Sequence, residues 1–168
     1  TEGRGFESPN PCQSPSMPVP AHHPNDFPFS NVSVMALTIH LGAHKTASTH
    51  LQYSLRLAQP ALMRGGVFYA DPAQLRHPGL PLTDALATGR REYLDPVAKR
   101  LAHARALYPE VVLSEENILG GTRSSRICGR NGFVYPTAVA RVRRTIELAG
   151  GGPVTLFLSV RDPAHFYV

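Results

Sequence analysis

Four short runs of large apolar residues, at positions 37–41, 67–69, 111–113 and 154–160, punctuate the chain. Between them, apolar residues recur every three or four positions. A strand with one wet face alternates polar and apolar residues, whereas an unbroken apolar run buries both faces. Strands buried on both faces and separated by helices belong to parallel sheets with helical layers on each side. The expected fold class is therefore α/β, a three-layer α/β/α domain around a central parallel sheet.

The helical segments carry their own punctuation. After the first run, Leu51, Leu55, Ala58 and Leu62 fall on one helical face, with Pro60 a break and Gly65-Gly66 a stop. Asp95-Pro96 predicts an N-cap followed by proline at the first helical position. Val97, Leu101 and Ala104 would then face inward until Tyr108-Pro109. Pro136 is expected to open a helix with Val139, Val142 and Ile146 inward, closed by Gly150, Gly151 and Gly152.

Residues 1–34 differ in kind. Seven of the chain's 16 prolines lie in the first thirty positions, among few large aliphatic residues. Such a stretch buries too little surface to offset its ordering entropy, so it is expected to be disordered. Met35 stands directly before the first strand run, which suggests that 1–34 is a linker or lies outside the native product. Residues 35–168 are expected to form the folded domain. The two cysteines, Cys12 and Cys128, make no disulfide framework, which points to a reducing compartment. No apolar run approaches the ~20 residues that span a bilayer, and the start lacks a signal-peptide layout. A cytoplasmic protein with no membrane partner is expected.

The formal charge of +5 on 168 residues favours anionic partners. Its make-up is lopsided: fifteen arginines but only two lysines, Lys45 and Lys99. Lys45 sits in Gly42-Ala43-His44-Lys45-Thr46-Ala47-Ser48-Thr49, which joins the first strand to the first helix. In open α/β sheets ligands gather beyond the carboxyl ends of the strands. That rule selects this loop, the Ser114-Glu115-Glu116-Asn117 turn and Arg161-Asp162-Pro163. Small residues let the loop backbone curl so that N–H groups at the helix start surround an anion. A lysine adds a compact, mobile charge able to follow a group in transfer. The Walker A pattern demands glycine immediately before the lysine; His44 holds that place, so the loop is not a Walker A loop. His40, His44 and His50 lie close in sequence but on strand, turn and helix, and no metal site is expected from them. The stretch GGTRSSRICGRNG after the third strand reads as a flexible loop at the ligand edge, with acidic-substrate binding as a second reading.

The segment HKTASTHLQ resembles the phosphosulfate-binding loop of bacterial and carbohydrate sulfotransferases, H-K-T-G-T-T-x-L-Q, with Ala47 in place of the glycine. GVFYAD resembles the family's second-strand segment, VVLSEEN its third-strand motif, and SVRDPAHFYV the start of its second signature. The resemblance spans about residues 36–168 and breaks off at Val168, one residue before the serine of that signature. It implies a P-loop-like sulfotransferase fold that is incomplete at its C-terminus. The implied reaction moves a sulfuryl group from 3′-phosphoadenosine 5′-phosphosulfate (PAPS) to a hydroxyl of a small-molecule or carbohydrate acceptor, without metal and without nucleic acid. By matching position, Lys45 would stabilise the leaving phosphate. Thr46, Ala47, Ser48 and Thr49 would hold the 5′-phosphate, and Arg161 the 3′-phosphate. Glu116, or else Glu115, would take the acceptor's proton. With half of the 3′-phosphate site absent, these 168 residues alone are expected to bind donor weakly and turn over little or nothing. The rival readings are an atypical nucleotide kinase or triphosphatase and an inactive, truncated anion-binding module. The acceptor and the oligomeric state are left open.

Overall fold

Parallel strands supply the frame. The computed structural model describes residues 36–43, 48–121 and 134–160, which all fall in one compact unit. Strand β1 (Ala36–Gly42) is followed by α1 (Ser48–Leu57) and α2 (Gln59–Arg64). Strand β2 (Val67–Ala70) leads to α3 (Pro72–Leu75), α4 (Leu82–Thr88) and α5 (Arg91–Leu107). Strand β3 (Glu110–Ser114) ends in a 3₁₀ turn (Glu116–Ile118); α6 (Ala138–Leu148) and β4 (Val154–Ser159) complete the order.

The four strands form one all-parallel sheet in the order β2-β3-β1-β4. Residues paired across parallel strands share a face, and successive residues alternate. Leu37 and Ile39 pair with Val111 and Leu113, and all four are buried in one apolar cluster with Leu82 and Ala85 of α4, Val97 and Leu101 of α5 and Leu148 of α6. On the other face, Thr38 and His40 pair with Val112 and Ser114, and α1 lies over them. Helices on both faces agree with the expected α/β/α layering. At the open edge, β4 exposes Leu156, Phe157 and Leu158. Among the described residues, no helix is long and apolar enough to cross a membrane.

Several local expectations are corrected. The most buried residues of α1 are polar, Ser48 and Gln52 at 7% exposed each, while Leu51, 46% exposed, and Leu55 line a shallow pocket with Thr38, Val112, Phe157 and Leu158 of the sheet. The sheet face beneath α1 presents His40, Ser114 and the Tyr69 hydroxyl, and buried polar groups require polar partners. The turn at Ala58 and Pro60 does divide the segment into two helices.

Helix α5 begins at Arg91, not after Asp95, and Pro96 lies inside it. Its buried stripe reaches back through Leu94, one turn before Val97, so packing extends the helix past the lost Pro96 hydrogen bond. The cap-and-proline signal operates instead at Asp71-Pro72. There Asp71 Oδ1 accepts from the Gln74 backbone N–H at 2.9 Å, and the Gln74 side chain accepts from the Asp71 N–H at 3.2 Å. In α6 the fully inward residues are Thr145 and Leu148; Val142 and Ile146 pack at the margin and Val139 is exposed. The three-glycine closure stands as expected. All three adopt positive φ, and the Arg105 guanidinium donates to the carbonyls of Ala149 and Gly151 there.

Candidate active site

The strand order creates a switch point. From β1 the chain leaves over one face through α1 to reach β2, whereas from β3 it leaves toward α6 on the other face. The loops after these two adjacent strands therefore diverge and open a crevice at the carboxyl edge of the sheet. Ala43 donates its N–H to the Ser159 carbonyl at 2.9 Å, tying the start of the first loop to the end of β4. Lys45, Thr46 and Ala47 lie outside the described residues, as do Arg161, residues 1–34 and most of the arginine-rich stretch after β3.

Ser48 and Thr49 open α1. The buried Ser48 hydroxyl donates to Glu116 Oε2 at 3.2 Å, which joins the helix start to the turn after β3 across the crevice. Thr49 is exposed and lines the adjoining cleft.

The two neighbouring glutamates have different surroundings. Glu115 is fully buried. Its carboxylate accepts from Arg76 Nε at 2.8 Å and Arg76 Nη2 at 2.7 Å, a forked pair, and from the Asn117 N–H at 2.9 Å. The hydrogen bonds to Glu115 raise the Arg76 pKa further above its ordinary value. Glu116 keeps 27% of its side chain exposed and lies 3.5 Å from Arg76 Nη2. It faces a cleft of about 330 Å³ shared with Thr49, Tyr53, Arg56, Asp71 and Arg76.

Beneath α1 lies a polar cluster that the sequence reading did not foresee. Gln52 Nε2 donates to Ser114 Oγ at 3.3 Å; Ser114 Oγ is 2.8 Å from His40 Nδ1; and His40 Nε2 is 3.2 Å from Ser159 Oγ. The Tyr69 hydroxyl donates to the Gln52 carbonyl at 3.4 Å. Burial pushes the His40 pKa down, against an opposing pull from the Glu116 charge, so the ring favours its neutral form. Burial likewise raises the Tyr69 pKa. One helix and all four strands are thus joined near the carboxyl edge of the sheet. The available signal was positional: His40, Ser114 and Ser159 each break an apolar run near its carboxyl end, and Gln52 follows Ser48 by one helical turn. Arg76 had no such signal, since it reaches Glu115 from 39 positions away.

Among the described residues, no group of three or more histidine, cysteine or acidic side chains is placed to hold a metal ion. Fold and site together define an all-parallel α/β domain with a polar crevice at its switch point. No protein-family model matches the chain, and no curated protein or solved structure matches it either.

Proposed function

We propose that this chain is the donor-binding part of a PAPS-dependent sulfotransferase acting on a hydroxyl acceptor. The observation that carries the reading is the 3.2 Å contact between Ser48, at the helix start following the lysine loop, and Glu116, at the turn after β3. An anion-binding helix terminus and a carboxylate with open surface meet at one crevice, where a sulfuryl donor and a hydroxyl acceptor have to meet.

In this scheme the loop amides and the Thr49 hydroxyl hold the 5′-phosphate, Ser48 joins them by turning its single hydroxyl proton from Glu116 to the nucleotide, and Arg161 holds the 3′-phosphate. The acceptor oxygen attacks sulfur as the bond from sulfur to the bridging phosphate oxygen breaks. Glu116 takes the acceptor proton, and Lys45 meets the charge that builds on the departing 3′-phosphoadenosine 5′-phosphate. Orientation and fixed electrostatics supply the catalysis. Glu116 is preferred to Glu115 as the base, because the forked bond to Arg76 and the Asn117 amide already engage the Glu115 carboxylate.

Calorimetric titration with 3′-phosphoadenosine 5′-phosphate tests the reading. Wild-type chain binds it in preference to ATP, and Lys45→Ala and Arg161→Ala each weaken binding by about tenfold or more, the scale of one charge-assisted contact. Equal affinity for ATP would support a nucleotide kinase or triphosphatase instead. Indifference to both substitutions would leave only an anion-binding module with no transfer chemistry.

A further inference from the structure

The Ser48 hydroxyl carries one proton and faces two demands for it. In the structure it donates to Glu116 Oε2 at 3.2 Å. Ser48 also opens α1 directly after the lysine loop, where a bound 5′-phosphate needs donors. A single proton cannot serve both acceptors at once. The rest of the turn after β3 is held by other groups. Arg76 and the Asn117 N–H engage the Glu115 carboxylate, and the Arg141 guanidinium donates to the carbonyls of Asn117 at 2.8 Å and Ile118 at 3.0 Å. The other oxygen of Glu116 lies 3.5 Å from Arg76 Nη2. The backbone is thus fixed around the Glu116 side chain, and rotation of one hydroxyl changes what that side chain is bonded to.

We infer that Ser48 is a positioning residue that couples the two halves of the site: it engages Glu116 while the donor loop is empty and releases it when a 5′-phosphate arrives. The inference rests on the sulfotransferase reading for the identity of the ligand. A carboxylate that gives up a hydrogen-bond donor takes a proton more readily. The acceptor therefore meets a released Glu116 only after the donor is seated. Coupling between two sites is reciprocal. The bond to Glu116 must break before phosphate gains the hydroxyl, so Glu116 in turn weakens nucleotide binding through Ser48. Hydrogen bonds to charged groups exceed neutral ones by an amount worth about fivefold in affinity.

The test is a double-mutant cycle on the full chain, with affinity for 3′-phosphoadenosine 5′-phosphate read by NMR titration. Ser48→Ala alone should change affinity by about twofold or less, because the bond lost to phosphate offsets a bond no longer broken. Combined with Glu116→Gln, the same substitution should weaken binding about fivefold, because a neutral amide holds the hydroxyl less tightly. Direct repulsion between Glu116 and phosphate acts with or without the hydroxyl and cancels from the cycle. Alanine is the strongest helix former, so α1 persists in these variants. Ser48→Thr keeps a hydroxyl and should leave both affinities near those measured with serine. Adenosine 3′-phosphate, which lacks the 5′-phosphate, should show no difference between the two backgrounds. Equal effects of Ser48→Ala in both backgrounds would overturn the inference, as would a difference that persists with adenosine 3′-phosphate. If wild-type chain fails to prefer 3′-phosphoadenosine 5′-phosphate over ATP, the sulfotransferase reading falls and the inference with it. Preferential binding with equal effects sinks the coupling alone.

Discussion

Replacing Arg76 by alanine tests the division of labour between the two glutamates. The substitution removes both arms of the fork from a carboxylate with no solvent exposure and leaves the Asn117 N–H as its remaining hydrogen-bond donor in this group. Breaking a buried ion pair from one side costs about 3–5 kcal/mol, because the survivor is left charged and dry. Arg76 is itself 45% exposed, so water enters part of the space it vacates, and the cost falls at the lower end, about 3 kcal/mol. At a urea slope of about 2 kcal/mol per molar, the unfolding midpoint drops by about 1.5 M. Circular dichroism during urea titration measures it. The double substitution Arg76→Met with Glu115→Gln should cost less than Arg76→Met alone, since the amide oxygen still accepts from Asn117 and no buried charge remains. A loss below about 1 kcal/mol for Arg76→Ala would mean that water already solvates Glu115. The reason for choosing Glu116 as base would then disappear.

Two further outcomes follow from the cluster beneath α1. Burial depresses the folded-state pKa of His40 below the ordinary 6.5, so between the two values the unfolded chain binds more protons than the folded one. Stability is therefore complete above pH 6.5 and declines as pH falls toward the folded value; His40→Gln should flatten that acid limb in melting experiments run from about pH 7.5 to about pH 5. Gln52→Leu adds an apolar residue to a helix yet strips Ser114 of a buried donor, and it should destabilise by about 1–2 kcal/mol in the same urea assay. A stabilising effect would show that α1 tolerates an apolar contact there.

How much was legible beforehand depended on the range of the interaction. The four strands, the break at Pro60 and the glycine closure after α6 could be read because each is written in neighbouring residues: short, largely apolar runs, a missing N–H, backbone that tolerates positive φ. Local signals misled where packing outweighed them. Asp-Pro caps a helix at position 71 but sits inside one at position 95, because Leu94 extends the buried stripe by a turn. The candidate residues Ser48, Thr49, Glu115 and Glu116 were found from loop position after a strand, and the structure brings Ser48 and Glu116 into contact.

Sequence alone determined the parallel α/β plan and the edge of the sheet at which polar residues collect, since strand patterning and strand ends are properties of short segments. Only the tertiary structure decided that Glu115 is held by Arg76 while Glu116 faces the cleft, and that α1 buries Gln52 against Ser114 while Leu51 stays half-exposed. Those outcomes depend on groups from different strands and helices meeting in a buried space. There an unpaired polar atom is costly, and the partner that satisfies it can stand anywhere along the chain.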